Sequence, residues 1–158
     1  MQKILIIDDE PDLLWTLSNV LKEAGYLPIT AQEGWVGMEK VKTDPPDLVI
    51  LDLKLPDQDG TEVLKQIKEM DKELPVIILT AFGGIPSAVH SIKLGAFDYL
   101  TKPVPNEELL LSMERAFQAK SLQNEVEALR QQIEKGIHLV KVVGESKAIQ
   151  DSLSLIHI

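Results

Sequence analysis

Runs of aliphatic and β-branched residues alternate along this chain with stretches in which apolar residues recur every three or four positions. The runs predict strands because branched side chains suit a pleated, buried surface, whereas the three-to-four spacing is that of an amphipathic helix. Five strands are predicted in this way, over residues 3–7, 27–31, 48–51, 76–79 and 97–100. A helix-forming stretch follows each of them, and this alternation indicates a parallel sheet covered by helices on both faces.

Five strand–helix units of this size fit an α/β fold with a doubly wound five-stranded parallel sheet of strand order 2-1-3-4-5, the flavodoxin-like topology. In such a sheet the functional crevice lies at the carboxyl ends of the strands. Polar residues follow the predicted strands at those ends: Asp8, Asp9, Asp52, Thr80 and Lys102. We therefore expect these five side chains to converge on one edge of the sheet.

Proline and capping residues predict where several helices begin. The first helix is expected to open at Pro11, the second to run over residues 33–42, and the fourth to open at Pro86. The last helix is expected to be capped by Asn106. From there to residue 135 the chain has no Gly or Pro, which allows about 30 residues, or ~45 Å, of helix before Gly136 ends it.

The second half of this last helix carries an apolar stripe in which the residues are spaced alternately by three and four. Its members are Ala119, Leu122, Val126, Leu129 and Ile133. Small or β-branched residues at one heptad position and Leu at the other favour a parallel two-stranded coiled coil, in which Glu125 faces Arg130 of the partner helix. The alternative is an amphipathic helix packed on its own globule. We favour an extended coiled-coil helix that forms a homodimer, because a helix longer than its domain must bury the stripe elsewhere.

Acidic residues dominate the predicted edge of the sheet. Asp8, Asp9 and Glu10 are consecutive, and Asp52 is expected beside them. Carboxylates held close together repel one another and resist ionising together, and Mg²⁺, which takes oxygen ligands, relieves that repulsion. Three consecutive acids alone would equally suit a solvated loop with a helix cap. The addition of Asp52 favours a magnesium site.

A cation site beside a free carboxylate, one lysine and one threonine is suited to phosphoryl transfer, which requires the phosphoryl oxygens to be neutralised. Asp52 can act as the nucleophile and form an acyl phosphate. Lys102 can share the balancing of charge with Mg²⁺, and the hydroxyl of Thr80 can donate to a phosphoryl oxygen. Taken singly, Lys102 suits a surface lysine and Thr80 a strand-end residue, so the prediction depends on their joint placement.

The composition and charge of the chain limit its possible binding partners, its chemistry and its cellular location. The 25 acids against 16 bases give a net charge of -9, which argues against direct nucleic-acid contact by this segment. Without cysteine, disulfides and thiol nucleophiles are excluded. No apolar run approaches the ~20 residues of a membrane span, and the amino-terminal run is too short for a signal peptide. We expect a cytoplasmic protein without membrane contact.

Several short motifs, in this order, resemble the receiver domain of two-component response regulators over residues 1 to about 119. They are Asp8-Asp9, Leu51-Asp52-Leu53, Leu55-Pro56-Asp57 with Gly60, Thr80-Ala81, and Tyr99-Leu100-Thr101-Lys102-Pro103. The resemblance implies that Asp52 accepts a phosphoryl group from a phosphohistidine on a sensor histidine kinase. It also implies that Asp9 and Asp52 bind Mg²⁺ directly, that Lys54 contributes its backbone carbonyl, and that Asp8 acts through a water.

The same resemblance implies a switch. Tyr99 matches the family's switch aromatic, which turns inward as Thr80 moves toward the phosphate. A cis peptide bond at Lys102-Pro103 is implied as well, against about 5–6% of such bonds generally.

Residues 142–150 resemble the opening of the ATPase domain of sigma-54-dependent transcriptional activators. In that family a receiver, a helical linker and this segment occur in that order. The resemblance implies a receiver over residues 1–119, a coiled-coil linker over residues 120–136 and the start of a truncated ATPase domain over residues 137–158. We expect phosphorylation to switch the dimer arrangement and so control downstream ATPase and DNA-binding domains of a longer protein.

Two other functions fit parts of the pattern. One is an aspartate-nucleophile phosphatase of haloacid-dehalogenase type, but that chemistry wants a second Asp two residues after the nucleophile, where Lys54 stands. Slow self-hydrolysis of the phosphate is therefore expected rather than rapid turnover. The other is a structural module that takes no phosphate, and the intact acidic cluster argues against it.

Overall fold

The computed structural model describes the backbone of residues 1–143 and the side chains of residues 1–134. Strands and helices alternate throughout. In chain order they are β1 (Lys3–Ile7), α1 (Pro11–Glu23), β2 (Leu27–Ala31), α2 (Gly34–Thr43), β3 (Leu48–Leu51), α3 (Gly60–Met70), β4 (Val76–Thr80), α4 (Ile85–Lys93), β5 (Asp98–Thr101) and α5 (Asn106–Val143).

The five strands form one parallel sheet in the order β2-β1-β3-β4-β5, which confirms the predicted topology. The strands β1, β3 and β4 are apolar along almost their whole length because helices cover both faces of the sheet. After β1 the chain forms β2 on one side of β1, and it then crosses over to form β3 on the opposite side of β1. This reversal leaves a crevice at the carboxyl ends of β1 and β3, where ligands bind in sheets of this type.

Alternate residues of the central strands feed two separate cores. On one face, the β1 residues Leu5 and Ile7 pack in a cluster with the buried sides of α2 and α3. On the other face, Ile4 and Ile6 pack in a cluster with α1 and the first turns of α5. Because successive side chains of a strand point to opposite faces, a one-residue slip in register would exchange these two sets. The sheet edge that carries the polar residues is therefore held firmly in place.

Several predicted helix ends differ from the structure. α2 covers Gly34–Thr43 rather than residues 33–42, and α4 begins at Ile85, one residue before Pro86. Asn106 is the first residue of α5 rather than its cap. The carbonyl of Pro105 accepts the hydrogen bond from the amide of Leu109, so Pro105 is the capping residue. The prediction that the last helix ends at Gly136 is wrong, because α5 continues to Val143. A glycine inside a helix costs only about 1 kcal/mol, so by itself it need not stop one.

By its internal contacts the chain divides into two units, Met1–Phe117 and Gln118–Ile158. The segment expected to open an ATPase domain, residues 137–158, lies beyond the described side chains, and residues 144–158 lie outside the described residues altogether. Among the helices that the structure describes, none combines the length and apolar character needed to cross a membrane.

Candidate functional site

Asp8 and Asp52 are two buried carboxylates at the crevice, and the hydrogen bonding of the parallel strands continues to their backbone amides. The amide of Asp8 donates to the carbonyl of Ala31 at 3.0 Å, and that of Asp52 donates to the carbonyl of Ile7 at 2.9 Å. These bonds hold the backbone of Asp8 and Asp52 in line with β1 and β3. The residue Asp52 keeps only 4% of its surface exposed. Both acids are thus fixed in position before any ligand arrives.

The ammonium group of Lys102 joins the acids from the far side of the crevice. Its Nζ lies 2.7 Å from Asp8 Oδ2, 3.0 Å from Asp52 Oδ2 and 3.2 Å from Glu10 Oε1. The backbone of Lys102 is held by its amide, which donates to the carbonyl of Thr80 at 2.9 Å. The peptide bond from Lys102 to Pro103 is cis, as the resemblance implied. Lys102 therefore lies where the sequence predicted it, in contact with the acids.

Burial and ion pairing act in opposite directions on these groups. Burial raises the pKa of Asp8 above its ordinary value, although the hydrogen bonds from Lys102 and from the Glu10 amide lower it. Burial by itself lowers the pKa of Lys102, but the hydrogen bonds to Asp8 and Asp52 outweigh it and raise that pKa. Lys102 consequently keeps its charge at neutral pH, and Asp8 is a carboxylate that a further positive charge would help to ionise.

Four carboxylates come close enough together to share one cation. One oxygen from each of Asp8, Asp9, Glu10 and Asp52 can be chosen so that all four lie within 4.8 Å of one another. Asp8 and Asp52 are buried, whereas Asp9 and Glu10 are exposed. The donors are all oxygen, which suits hard cations such as Mg²⁺ rather than zinc or copper. The residues present therefore fit the predicted metal.

Thr80 ends β4 and is fully buried. Its Oγ1 accepts a hydrogen bond from the amide of Phe82 at 3.2 Å. On the neighbouring strand, the hydroxyl of Tyr99 donates to the carbonyl of Phe82 at 2.8 Å and lies 3.2 Å from Ser87 Oγ. The backbone of Phe82 thus connects Thr80 with Tyr99, the two residues that the resemblance couples. Sequence reasoning did not find Phe82, because hydrogen bonds to a loop backbone leave no residue signature.

Lys54 lies beside the site on the loop that follows β3. Its amide donates to Asp52 Oδ1 at 3.2 Å. Its ammonium group lies 4.2 Å from the centre of the Phe82 ring, a distance at which the ring attracts the cation. The predicted role of its backbone carbonyl in metal binding stays a prediction. The contact with Phe82 was missed, since it joins two loops that only the fold brings together.

The predicted coiled-coil residues lie in the second unit, and all are exposed in the single chain. Among them Leu122, Val126, Leu129 and Ile133 keep between 40% and 61% of their surface accessible. Ala119 is exposed as well. Four large apolar side chains in water along one helix are what an unpaired coiled-coil strand would show.

The sequence matches the family model described as "Response regulator receiver domain" over residues 4–114. It is 31% identical to the regulatory protein AtoC of Escherichia coli K12 over 151 residues, which cover 96% of this chain and 33% of AtoC. It is 32% identical to the DNA-binding transcriptional regulator NtrC of the same organism over 153 residues, 97% of this chain and 32% of NtrC. The chain thus spans about a third of the length of these relatives.

Solved structures agree with the sequence matches. The fold is similar to that of NtrX from Brucella abortus, with a TM-score of 0.76 and 34% identity over 81% of this chain and 29% of NtrX. A response regulator receiver domain from Clostridium thermocellum gives a TM-score of 0.73 and 34% identity, covering 78% of this chain and 99% of the other.

Proposed function

Since the chain belongs to the response regulator receiver domain family, we propose that the carboxylate of Asp52 accepts a phosphoryl group and so switches the protein between two arrangements. The proposal depends mainly on one observation: the buried carboxylate of Asp52 contacts the ammonium group of Lys102 and lies among three further acids. The relatives place the chain with the sigma-54-dependent activators, the subfamily that the sequence indicated.

In the proposed reaction an oxygen of Asp52 attacks the phosphorus of a phosphohistidine on a sensor histidine kinase. A new O–P bond forms, the P–N bond breaks, and its electron pair stays on the leaving imidazole. Lys102 is already in contact with Asp52, so it offers its charge to the phosphoryl oxygens without moving far.

The acidic cluster supports a role for Mg²⁺ in this reaction. We place Asp9 and Asp52 as direct ligands, Lys54 as a ligand through its backbone carbonyl, and Asp8 as a ligand through water. When bound, the ion would neutralise negative charge on the phosphoryl oxygens. Burial raises the pKa of Asp8 even though Lys102 contacts it, so a further cation beside Asp8 would favour its ionised form.

The contacts of Phe82 support the switch. When Thr80 moves toward the phosphate to donate its hydroxyl proton to a phosphoryl oxygen, its Oγ1 moves away from the amide of Phe82, and the segment after β4 is free to shift. Tyr99 donates to the carbonyl of the same residue, so a shift of Phe82 changes the surroundings of the Tyr99 ring. Phosphorylation at Asp52 is thereby transmitted to β5.

The exposed stripe on α5 supports a homodimer in which the two helices form a parallel coiled coil, with Glu125 facing Arg130 of the partner. In the proposed organisation the receiver occupies residues 1–119, the linker residues 120–136, and an ATPase domain begins over residues 137–158. Phosphorylation would rearrange the receivers and, through the linker, the downstream ATPase and DNA-binding domains. The net charge of -9 makes direct nucleic-acid contact by this segment unfavourable.

Rapid hydrolysis of the phosphate is not part of this function. The position two residues after Asp52 holds Lys54, whose ammonium group lies over the Phe82 ring, so no carboxylate is available there as a general acid or base. We expect slow self-dephosphorylation.

The direct test is labelling by acetyl phosphate and Mg²⁺, followed by intact mass, in the wild type, Asp52→Asn and Asp44→Asn. Asp44 is a matched acid that contacts Lys3 at the opposite edge of the sheet. One persistent phosphoryl group on the wild type and on Asp44→Asn, and none on Asp52→Asn, supports the switch. Consumption of the donor without accumulated label would indicate a phosphatase, and no labelling would indicate a structural module.

A further inference from the structure

The loop that follows the phosphoacceptor is fastened to a helix distant in sequence. The carboxylate of Asp57 accepts hydrogen bonds from the amide of Gly34 at 2.8 Å and from the amide of Trp35 at 3.0 Å, one on each oxygen. These are the first two residues of α2. A side chain 23 positions away therefore supplies the acceptor that the amino-terminal amides of a helix need.

The local capping residue does not perform this task. Glu33 precedes α2 in an extended conformation, but its side chain makes no capping hydrogen bond. Its carboxylate accepts instead from the indole of Trp35. Helix capping here depends on the loop, so the order of the loop and the order of the first turn of α2 are linked.

The two ends of this loop are closed on each other. Lys54 and Asp59 form an antiparallel bridge, and the amide of Gly60 donates to the carbonyl of Leu53 at 2.8 Å. A side chain at position 60 would place its Cβ 2.4 Å from the backbone oxygen of Asp52, so the backbone approaches itself closely there. The loop is a narrow hairpin whose base adjoins Asp52 and whose tip carries Asp57.

The tip also packs tightly on α2. A Cβ at Gly34 would come within 2.6 Å of the amide nitrogen of the Gln58 side chain and 2.9 Å of Val63 on α3. The lowered pKa of Asp57 fits this arrangement. Slight burial raises that pKa, but hydrogen bonds, among them those from the amides of Gly34 and Trp35, together lower it by more than burial raises it. The carboxylate is therefore ionised at neutral pH.

We infer that Asp57 is a positioning residue for phosphoryl acceptance: it ties the loop over residues 53–59 to the first turn of α2 and so holds Lys54 and its backbone against Asp52. The inference rests on the proposed function of Asp52. Loss of the tie would loosen the hairpin tip and let the loop that flanks Asp52 sample other positions. A misplacement of about 1 Å can cost up to about 100-fold in rate.

Three variants separate positioning from helix capping. Asp57→Ala removes the tie. Glu33→Ala removes a carboxylate from the same helix end but leaves the tie intact. The double variant Glu33→Ser, Asp57→Ala adds a local cap, since Ser in an extended conformation accepts from the helix amides, while the tie stays absent. The measurements are the initial rate of labelling by acetyl phosphate with Mg²⁺, amide hydrogen exchange, and the midpoint of chemical denaturation.

We expect Asp57→Ala to label about tenfold more slowly than the wild type and to exchange faster both at Gly34 and Trp35 and over residues 53–60. Glu33→Ala should label within about twofold of the wild type, because the loop is untouched. The double variant should regain its denaturation midpoint but not its labelling rate.

Wild-type labelling by Asp57→Ala, or recovery of the rate in the double variant, would overturn the inference and leave the proposed function standing. A wild type that takes no label at Asp52 would overturn both. A fourth variant, Asp57→Asn, keeps one of the two acceptor oxygens, so a labelling rate between those of Asp57→Ala and the wild type would support the tie.

Discussion

The ammonium nitrogen of Lys102 lies 3.0 Å from an oxygen of Asp52, although 50 positions separate the two residues in the sequence. The same nitrogen lies 2.7 Å from Asp8. Because strand ends hold the backbone at all three residues, this cation is in position before a phosphoryl group arrives. Preorganised charge of this kind stabilises a transition state without a cost of reorganisation at the moment of reaction.

Replacing Lys102 should slow phosphorylation. We expect Lys102→Met to label about 100-fold more slowly, in the range seen when one preorganised donor is removed from an active site. The initial rate with acetyl phosphate and Mg²⁺ measures the effect. Lys72→Met, which removes an exposed lysine after α3, is the matched control. Equal rates for the two variants would contradict a role for Lys102 at the phosphoryl group.

Asp9 should be needed for Mg²⁺ but not for folding. Asp9→Ala is expected to abolish labelling and to remove the effect of Mg²⁺ on thermal stability, because it deletes one of the four clustered carboxylates. Its side chain is exposed, so its loss should change the free energy of unfolding without Mg²⁺ by no more than about 0.5 kcal/mol. Asp12→Ala, an exposed acid in the first turn of α1, serves as the control. Undiminished labelling in excess chelator would refute the metal's role.

Thr80 should act after the phosphate arrives. We expect Thr80→Ala to be labelled at nearly the wild-type rate but to lose the structural response, read as the change in hydrogen exchange of β5 on phosphorylation. Loss of the bond to the Phe82 amide should also cost about 1 kcal/mol of stability. Thr101→Ala tests the partner position on β5, where the side chain is exposed. A wild-type response in Thr80→Ala would show that the coupling proposal is wrong.

The capping contribution of Asp57 should depend on pH. Slight burial raises its pKa, but hydrogen bonds, among them those from two amides of α2, together lower it by more than burial raises it. The pKa in the folded protein therefore lies below the ordinary 3.8. A group whose pKa is depressed by folding stabilises the protein above its unfolded pKa and loses that contribution as pH falls through the folded value.

At pH 7 the free energy of unfolding of Asp57→Ala should therefore be about 0.5–1 kcal/mol smaller than that of the wild type. This value lies at the lower end of the range for helix caps because the carboxylate of Asp57 is exposed. The gap should begin to narrow below about pH 4, where Asp57 of the unfolded chain becomes protonated, and should close as the pH falls through the lower pKa of the folded protein. Chemical denaturation of both proteins between pH 7 and pH 3 measures it. A gap that grows on acidification would contradict the assigned direction.

The apolar stripe of α5 should hold a dimer together. Leu122→Asp combined with Leu129→Asp is expected to convert a micromolar homodimer to a monomer, since each charge would enter the predicted interface. Asn124→Asp with Gln131→Asp adds the same charge on the opposite face of the helix and should leave the dimer intact. Sedimentation of the three proteins decides the matter. A monomeric wild type, or equal dimerisation of both double variants, would refute the linker's role.

The pattern of the sequence predicted most of the fold. Strands β1 and β3 begin and end where their apolar runs do, because a buried strand must be apolar on both faces and polar residues mark its exit from the sheet. Helix ends were predicted less well. The first turn of α5 depends on the carbonyl of Pro105, and the passage of α5 through Gly136 depends on the small cost of one glycine.

By itself the sequence determined which residues would meet at the crevice. Asp8, Asp52 and Lys102 each end or follow a strand, and the carboxyl ends of parallel strands lie at one edge of the sheet. Only the tertiary structure decided the tie from Asp57 to α2 and the bridging of Thr80 and Tyr99 through Phe82. Both depend on loop backbone from segments distant in sequence. Residue type and periodicity describe strands and helices, but such contacts form only where packing of the whole fold brings a donor and an acceptor within about 3 Å.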